Sequence, residues 1–220
     1  MSSLVFDFDS TLVSVEGLDE LFARSLADSA DAAARIAAFG EITDLGMAGA
    51  ISADESLARR LAVLDADRRM VDAVAAQIRE QLSPSVVRHL GFFRERLPRV
   101  HVVSGGFEEL IQPTLDRLGI PGSHLLAHRF RWDPADRVAG LDPETVMARG
   151  GKPAALREIG RSTGPVWMVG DGATDMEVRD LGLADRFVAF TENRHRDPVV
   201  AGADHVARSM DELIALLEEP

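Results

Sequence analysis

Asp7 and Asp9 stand two residues apart in Asp7-Phe8-Asp9-Ser10-Thr11, directly after the apolar run Leu4-Val5-Phe6. Just past a strand, two such acids need not alternate between faces. One can act as nucleophile or metal ligand while the other exchanges a proton with a leaving oxygen. The same pair can also simply cap a turn. A second acidic segment, Val169-Gly170-Asp171-Gly172-Ala173-Thr174-Asp175, again ends an apolar run. Its glycines admit a ligand close to the backbone, and its oxygen donors suit Mg²⁺, although a glycine turn with a helix-capping Asp has the same pattern. Ser104-Gly105-Gly106-Phe107 offers a hydroxyl and free N–H groups where a helix is expected to begin, the makings of an anion site. Gly150-Gly151-Lys152 adds a lysine ahead of a helix, which alone reads as a phosphate ligand or as an ordinary solvated side chain.

These groups need elements that bring them together. The apolar runs at Leu4, Val100 to Val103, Val166 to Val169 and Phe187 to Phe190 alternate with helical stretches. That order predicts an α/β fold with a doubly wound parallel sheet. Ligands of such sheets bind beyond the carboxyl ends of the strands, where Asp7, Ser104 and Asp171 would lie. From Val13 to about Ser85 the chain is alanine-rich and helix-forming, so a helical domain over 14–85 interrupts a core made of 1–13 and 86–220. Ser52-Ala53-Asp54-Glu55 reads as a capping box that opens a helix carrying Leu57, Leu61 and Leu64 on one face. At 100° per residue Arg60 flanks that face while Arg59 points away. Pro84 starts a further helix running to near Pro98, and residues 125–142 read as a hairpin around Asp133-Pro134.

Composition narrows the function. The 220 residues carry a net charge of −12, which repels a nucleic-acid backbone. No apolar run reaches the ~18 residues that would suggest a membrane span, and Asp7 sits where a signal peptide needs apolar sequence. The absence of cysteine removes thiol catalysis and thiolate metal sites, and it suits a reducing cytoplasm. The six histidines show no metal-ligand spacing and read as structural.

Taken in order, Asp-x-Asp-x-Thr, Ser-Gly-Gly, Lys and Gly-Asp-Gly-x-x-Asp resemble the haloacid dehalogenase superfamily of aspartate-dependent phosphatases. Asp7 to Leu21, Val103 to Phe107 and Val169 to Glu177 are similar to the phosphoserine phosphatase family, whose helical cap matches the insert in position. The resemblance implies Asp7 as nucleophile, Asp9 as the acid that protonates the leaving oxygen and then activates water, and Lys152 as a catalytic cation. It further implies Mg²⁺ held by Asp7, Asp171 and the Asp9 carbonyl, with Asp175 holding the metal's water shell or orienting Lys152. Ser104 and the Gly105 N–H take phosphate oxygens, Thr174 belongs to the substrate site, Glu16 contacts an ammonium, Arg60 a carboxylate, and Met47 lines the cap side of the pocket.

The activity so implied is phosphoserine hydrolysis through an aspartyl-phosphate, the last step of serine biosynthesis. It would be carried out in the cytoplasm by a monomer or homodimer whose partner is a small phosphomonoester, not a nucleic acid or a membrane. A phosphatase or phosphotransferase for another small phosphomonoester, or a non-catalytic binding protein on the same fold, are the alternatives. The chain departs from the family at Ala53, where a phenylalanine is usual, and at Phe190-Thr191-Glu192, where Phe-Gly-Gly is usual. Both departures are expected to lie around the site.

Overall fold

Strand β1 (Ser3–Phe6) is buried along its whole length and pairs in parallel with a strand on either side. Its apolar Leu4-Val5-Phe6, with no exposed face, suits such a central position. In this computed structural model, which describes residues 2–27, 29–160 and 164–218, the chain then leaves the sheet for four helices. These are α1 (Gly17–Ser25), α2 (Ala32–Met47), α3 (Ala53–Leu61) and α4 (Arg68–Ile78). The excursion is drawn together at its base, where Ser14 N donates to Gln81 O and Ser83 N to Leu12 O.

Two short helices, α5 (Pro84–Arg88) and α6 (Leu90–Glu95), lead back to β2 (Val100–Phe107). The single helix expected here is broken because His89 leaves the helical region at φ −119°, ψ 32°. After α7 (Glu108–Leu118) and a 3₁₀ turn come β3 (Leu125–His128), β4 (Phe130–Trp132), β5 (Val138–Leu141) and α8 (Val146–Ile159). They are followed by β6 (Val166–Gly170), α9 (Ala173–Asp180), β7 (Arg186–Phe190), α10 (Asp197–Gly202), β8 (His205–Ala207) and α11 (Met210–Glu218).

The six-stranded sheet runs in the order β3-β2-β1-β6-β7-β8, all parallel. This is the doubly wound α/β arrangement, with the chain reversing its direction of travel between β1 and β6. The hairpin exists but starts later than expected. Leu125 to His128 belong to the parallel sheet, and only β4 and β5 pair antiparallel, around a turn where Asp133 Oδ1 accepts from Ala135 N and Arg137 N.

Local signals explain several elements. Ser52 Oγ accepts from Glu55 N and caps α3, while Leu57 is buried. Leu64, expected on that helix, lies beyond its end, and Glu55 pairs with Arg59 rather than reaching back to the cap. Ser104 to Gly106 sit in the irregular end of β2 rather than at a helix start, because Phe107 pairs again with His128 past a register shift.

Candidate active site

Asp7 follows β1 and Asp171 follows β6, so the reversal between these neighbouring strands sets the two carboxylates side by side. Asp7 is fixed by its main-chain N–H, which donates to Val169 O at 2.8 Å. Lys152 reaches them from the middle of α8, where Gly151 takes a φ of +60° that glycine alone adopts without strain and the helix restarts in a new direction. Its Nζ lies 2.9 Å from Asp7 Oδ1 and 2.5 Å from Asp175 Oδ1, and all three side chains are buried. Burial opposes the ammonium charge, but Asp175 and Asp7 outweigh it and raise the Lys152 pKa. The other oxygen of Asp175 accepts from Gly172 N at 3.0 Å. Any side chain at Gly170 would collide with the Asp175 carboxyl, so glycine there lets the acid fold under the loop.

Asp9 stands one turn further on, its Oδ1 accepting from Gly17 N at 2.9 Å. Burial, then the charges of Glu16 and Asp7, push its pKa well up, which suits a group that must give a proton away. Ser104 Oγ accepts from Gly106 N, and Gly105 has open space where a side chain would be. Glu16 receives the Ser10 hydroxyl at 2.7 Å, from a residue held at the strained φ of +53°. Burial raises Glu16 to about 7, against the pull of Ser10 and, more weakly, of Arg196.

Asp7, Asp9, Glu16, Ser104, Gly105 and Lys152 line one cavity of about 430 Å³. Its far wall is helical and includes Met47, Ala53 and Arg60, and Thr174 at the start of α9 completes it. Arg60 does turn inward, with Nη1 3.7 Å from Asp19 Oδ1 and 3.4 Å from Thr43 Oγ1. Of the two sequence departures only Ala53 lines this cavity. Neither Thr191 nor Glu192 does, because Glu192 turns away to accept from both N and Oγ of Ser85 at the start of α5.

Residues 4–178 match the family described as haloacid dehalogenase-like hydrolase. The chain belongs to that family. Among the relatives of this haloacid dehalogenase-like hydrolase, the chloroplastic phosphoserine phosphatase of Arabidopsis thaliana is 32% identical over 99% of this chain and 72% of its own. The phosphoserine phosphatase of Bos taurus is 31% identical over 99% and 93%. A solved structure, a phosphoserine phosphohydrolase-like protein from Francisella tularensis, superposes with a TM-score of 0.89 at 30% identity, covering 99% of this chain and all of the other.

The hydrolase can hold a metal ion where its family would. Carboxylate oxygens of Asp7, Asp171 and Asp175 lie within 4.8 Å of one another, and Asp171 Oδ1 is buried with no protein partner. Burial, then the nearby acids Glu16, Asp7 and Asp175, raise the Asp171 pKa, as expected of a cluster in want of a cation. Asp175 also contacts Lys152 Nζ and Gly172 N.

Sequence reasoning missed Arg196. From the loop after β7, its side chain lies 3.2 Å from Asp171 Oδ2, 3.3 Å from Asp44 Oδ1 and 4.0 Å from Glu16 Oε1. Two arginines, Arg194 and Arg196, stand in this loop, and no periodicity marks which one turns inward. It missed Asn193 too, whose Nδ2 lies within hydrogen-bond distance of Ser10 O, Val13 O and Ser83 Oγ where the helical excursion leaves and rejoins the sheet.

Proposed function

We propose that this hydrolase is a Mg²⁺-dependent phosphomonoesterase that converts O-phosphoserine to serine and phosphate through an aspartyl-phosphate on Asp7. In this reading it closes serine biosynthesis as a cytoplasmic monomer or homodimer, the compartment fitting its cysteine-free sequence. One observation carries the substrate assignment. A buried carboxylate, Glu16, and a guanidinium, Arg60, line the same cavity as Asp7 and Lys152, matching the ammonium, carboxylate and phosphate of an amino-acid phosphomonoester. The phosphoserine phosphatases of plant and cow, alike over nearly the whole chain, support it.

Asp7 attacks phosphorus while Ser104 and the Gly105 N–H hold the equatorial oxygens. Lys152 neutralises charge on the transferring group and keeps Asp7 oriented, itself steered by Asp175. Asp7, Asp171 and the Asp9 carbonyl would hold Mg²⁺, which would supply the remaining positive charge that a dianion facing so many acids requires. Asp9, carrying a proton at rest, delivers it to the seryl oxygen as the bond breaks, then takes one from the water that hydrolyses the aspartyl-phosphate. An incoming ammonium draws Glu16 into its ionised form.

The test is phosphate release across small phosphomonoesters, with and without acceptor alcohols. Phosphoethanolamine lacks the carboxylate and leaves Arg60 without a substrate partner, a loss of about 2 kcal/mol or more, so its kcat/KM should be at least about thirtyfold below that of phosphoserine. Equal values would remove the phosphoserine assignment and leave a general phosphatase, and phosphoryl transfer to the alcohol would make it a phosphotransferase.

A further inference from the structure

His128 ends β3 on the sheet side of the cavity, opposite the helical wall that carries Arg60. It is 6% exposed, lines the cavity, and its ring lies 5.8 Å from that of Phe107. Its Nδ1 is enclosed with no hydrogen-bond partner. An enclosed N–H without an acceptor costs more than the idle lone pair of a weakly solvated nitrogen, so the proton belongs on Nε2. The ring thus keeps one donor for whatever enters the cavity.

The surroundings identify that group. The charged side chains that act on His128 are Asp54 and Arg60, not Asp7 or Lys152 at the phosphate end. A buried imidazole with an N–H to give, in a cavity that also holds a guanidinium, can share an anionic acceptor with it. Burial, against the pull of Asp54 and helped more weakly by Arg60, lowers the ring's pKa to about 4 and keeps it neutral, so it binds as a directional donor and adds no second cation. Ala53, small and exposed on the opposing helix, leaves this end of the cavity unfilled.

We propose that His128 is a specificity-determining residue, donating through Nε2 to the substrate carboxylate that Arg60 pairs with from the other wall. The proposal rests on the phosphoserine reading above. It divides recognition of the amino-acid end between the sheet and the helical wall, so carboxylate binding and closure of the two walls favour each other.

The experiment measures kcat and KM for phosphoserine and phosphoethanolamine with wild type, His128→Phe and His128→Asn, each checked for cooperative thermal unfolding. His128→Phe fills the volume but removes the donor, and should raise the phosphoserine KM about tenfold with little change in kcat, narrowing the ratio of the two substrates by the same factor. His128→Asn keeps an N–H donor and should recover most of that ratio, and it serves alone if the phenylalanine variant does not fold. In that case a ratio nearer to wild type than to that of Arg60→Ala supports the assignment, and one collapsed to the Arg60→Ala value overturns it. A wild-type preference for phosphoserine that survives His128→Phe unchanged overturns the assignment of His128 alone. No preference in the wild type overturns the substrate reading beneath it.

Discussion

Lys152 Nζ sits between Asp7 Oδ1 and Asp175 Oδ1, at 2.9 and 2.5 Å, with all three groups buried. Removing the ammonium while keeping the bulk, as in Lys152→Met, leaves two acids facing each other and a transferring phosphoryl group without its protein cation. Loss of one partner of a buried charge cluster costs roughly 3–5 kcal/mol, and loss of a transition-state donor about a hundredfold or more in rate. Thermal unfolding and single-turnover phosphate release should both register the change. A variant within tenfold of wild-type kcat would show that the lysine only props the loop.

Metal removal should be equally decisive. Excess chelator should abolish turnover, and adding Mg²⁺ to the stripped protein should raise its unfolding temperature, since an ion that binds only the folded state stabilises it. Asp171→Asn should weaken both responses, because Asp171 Oδ1 has no other partner. Full activity in chelator would remove the metal from the account.

The helical wall suggests a lid smaller than the whole 14–85 insert. Helix α4 packs on α7, Arg68 N and Val138 N bond across to Asp136 O and Ala66 O, and the Arg68 guanidinium lies 4.0 Å over Trp132. Helix α2 instead meets the sheet side through Asp44, paired with Arg196, and Met47 near Gly172, and α3 packs on α2. Vanadate, as a phosphate mimic, should therefore slow hydrogen exchange over α2 and α3 and leave α4 unchanged. Uniform slowing over 14–85 would mean that the insert moves as one body.

How far the sequence disclosed this depends on the kind of signal each residue carried. Asp7, Asp9, Asp171 and Asp175 were legible because each lies in a short segment that ends an apolar strand. Sheet topology then fixed where they meet, and helical phase showed that Arg60 turns inward, while its role came from the family resemblance. Strand β8 was not, since three residues with one valine leave no period to read. Arg196, which pairs with Asp171, and His128, which lines the cavity, were not, because each extends from a loop or strand end, where side-chain direction is set by tertiary packing. Glu192 was placed at the site by its neighbours in sequence, yet Ser85, distant along the chain, turns it away.

Half-buried His101 should act on acid stability. Burial, then the charge of His124, lowers the His101 pKa to about 4, against about 6.5 unfolded. Between those values the unfolded chain binds the extra proton, so the stability that neutral His101 contributes is complete above pH 6.5 and drains away as pH falls toward 4. Glu16, raised to about 7, works in the opposite sense, so the clean measurement is a difference. Relative to wild type, His101→Gln should gain stability from pH 7 to pH 5, by at most about 1.4 kcal/mol per pH unit. A constant difference would mean that His101 titrates normally.

Phosphoserine hydrolysis through Asp7 requires that the carboxylate become phosphorylated and that water then release the phosphate from it. The direct measurement is to quench turnover of O-phosphoserine in acid and locate the phosphoryl group by peptide mass spectrometry, in wild type, Asp7→Asn and Asp9→Asn. The account predicts a phosphoryl group on Asp7 in the wild type and none in Asp7→Asn. In Asp9→Asn it should form and decay slowly, because leaving-group protonation and water activation both fail. A phosphoryl group on any other residue, or near wild-type turnover by Asp7→Asn, would contradict it.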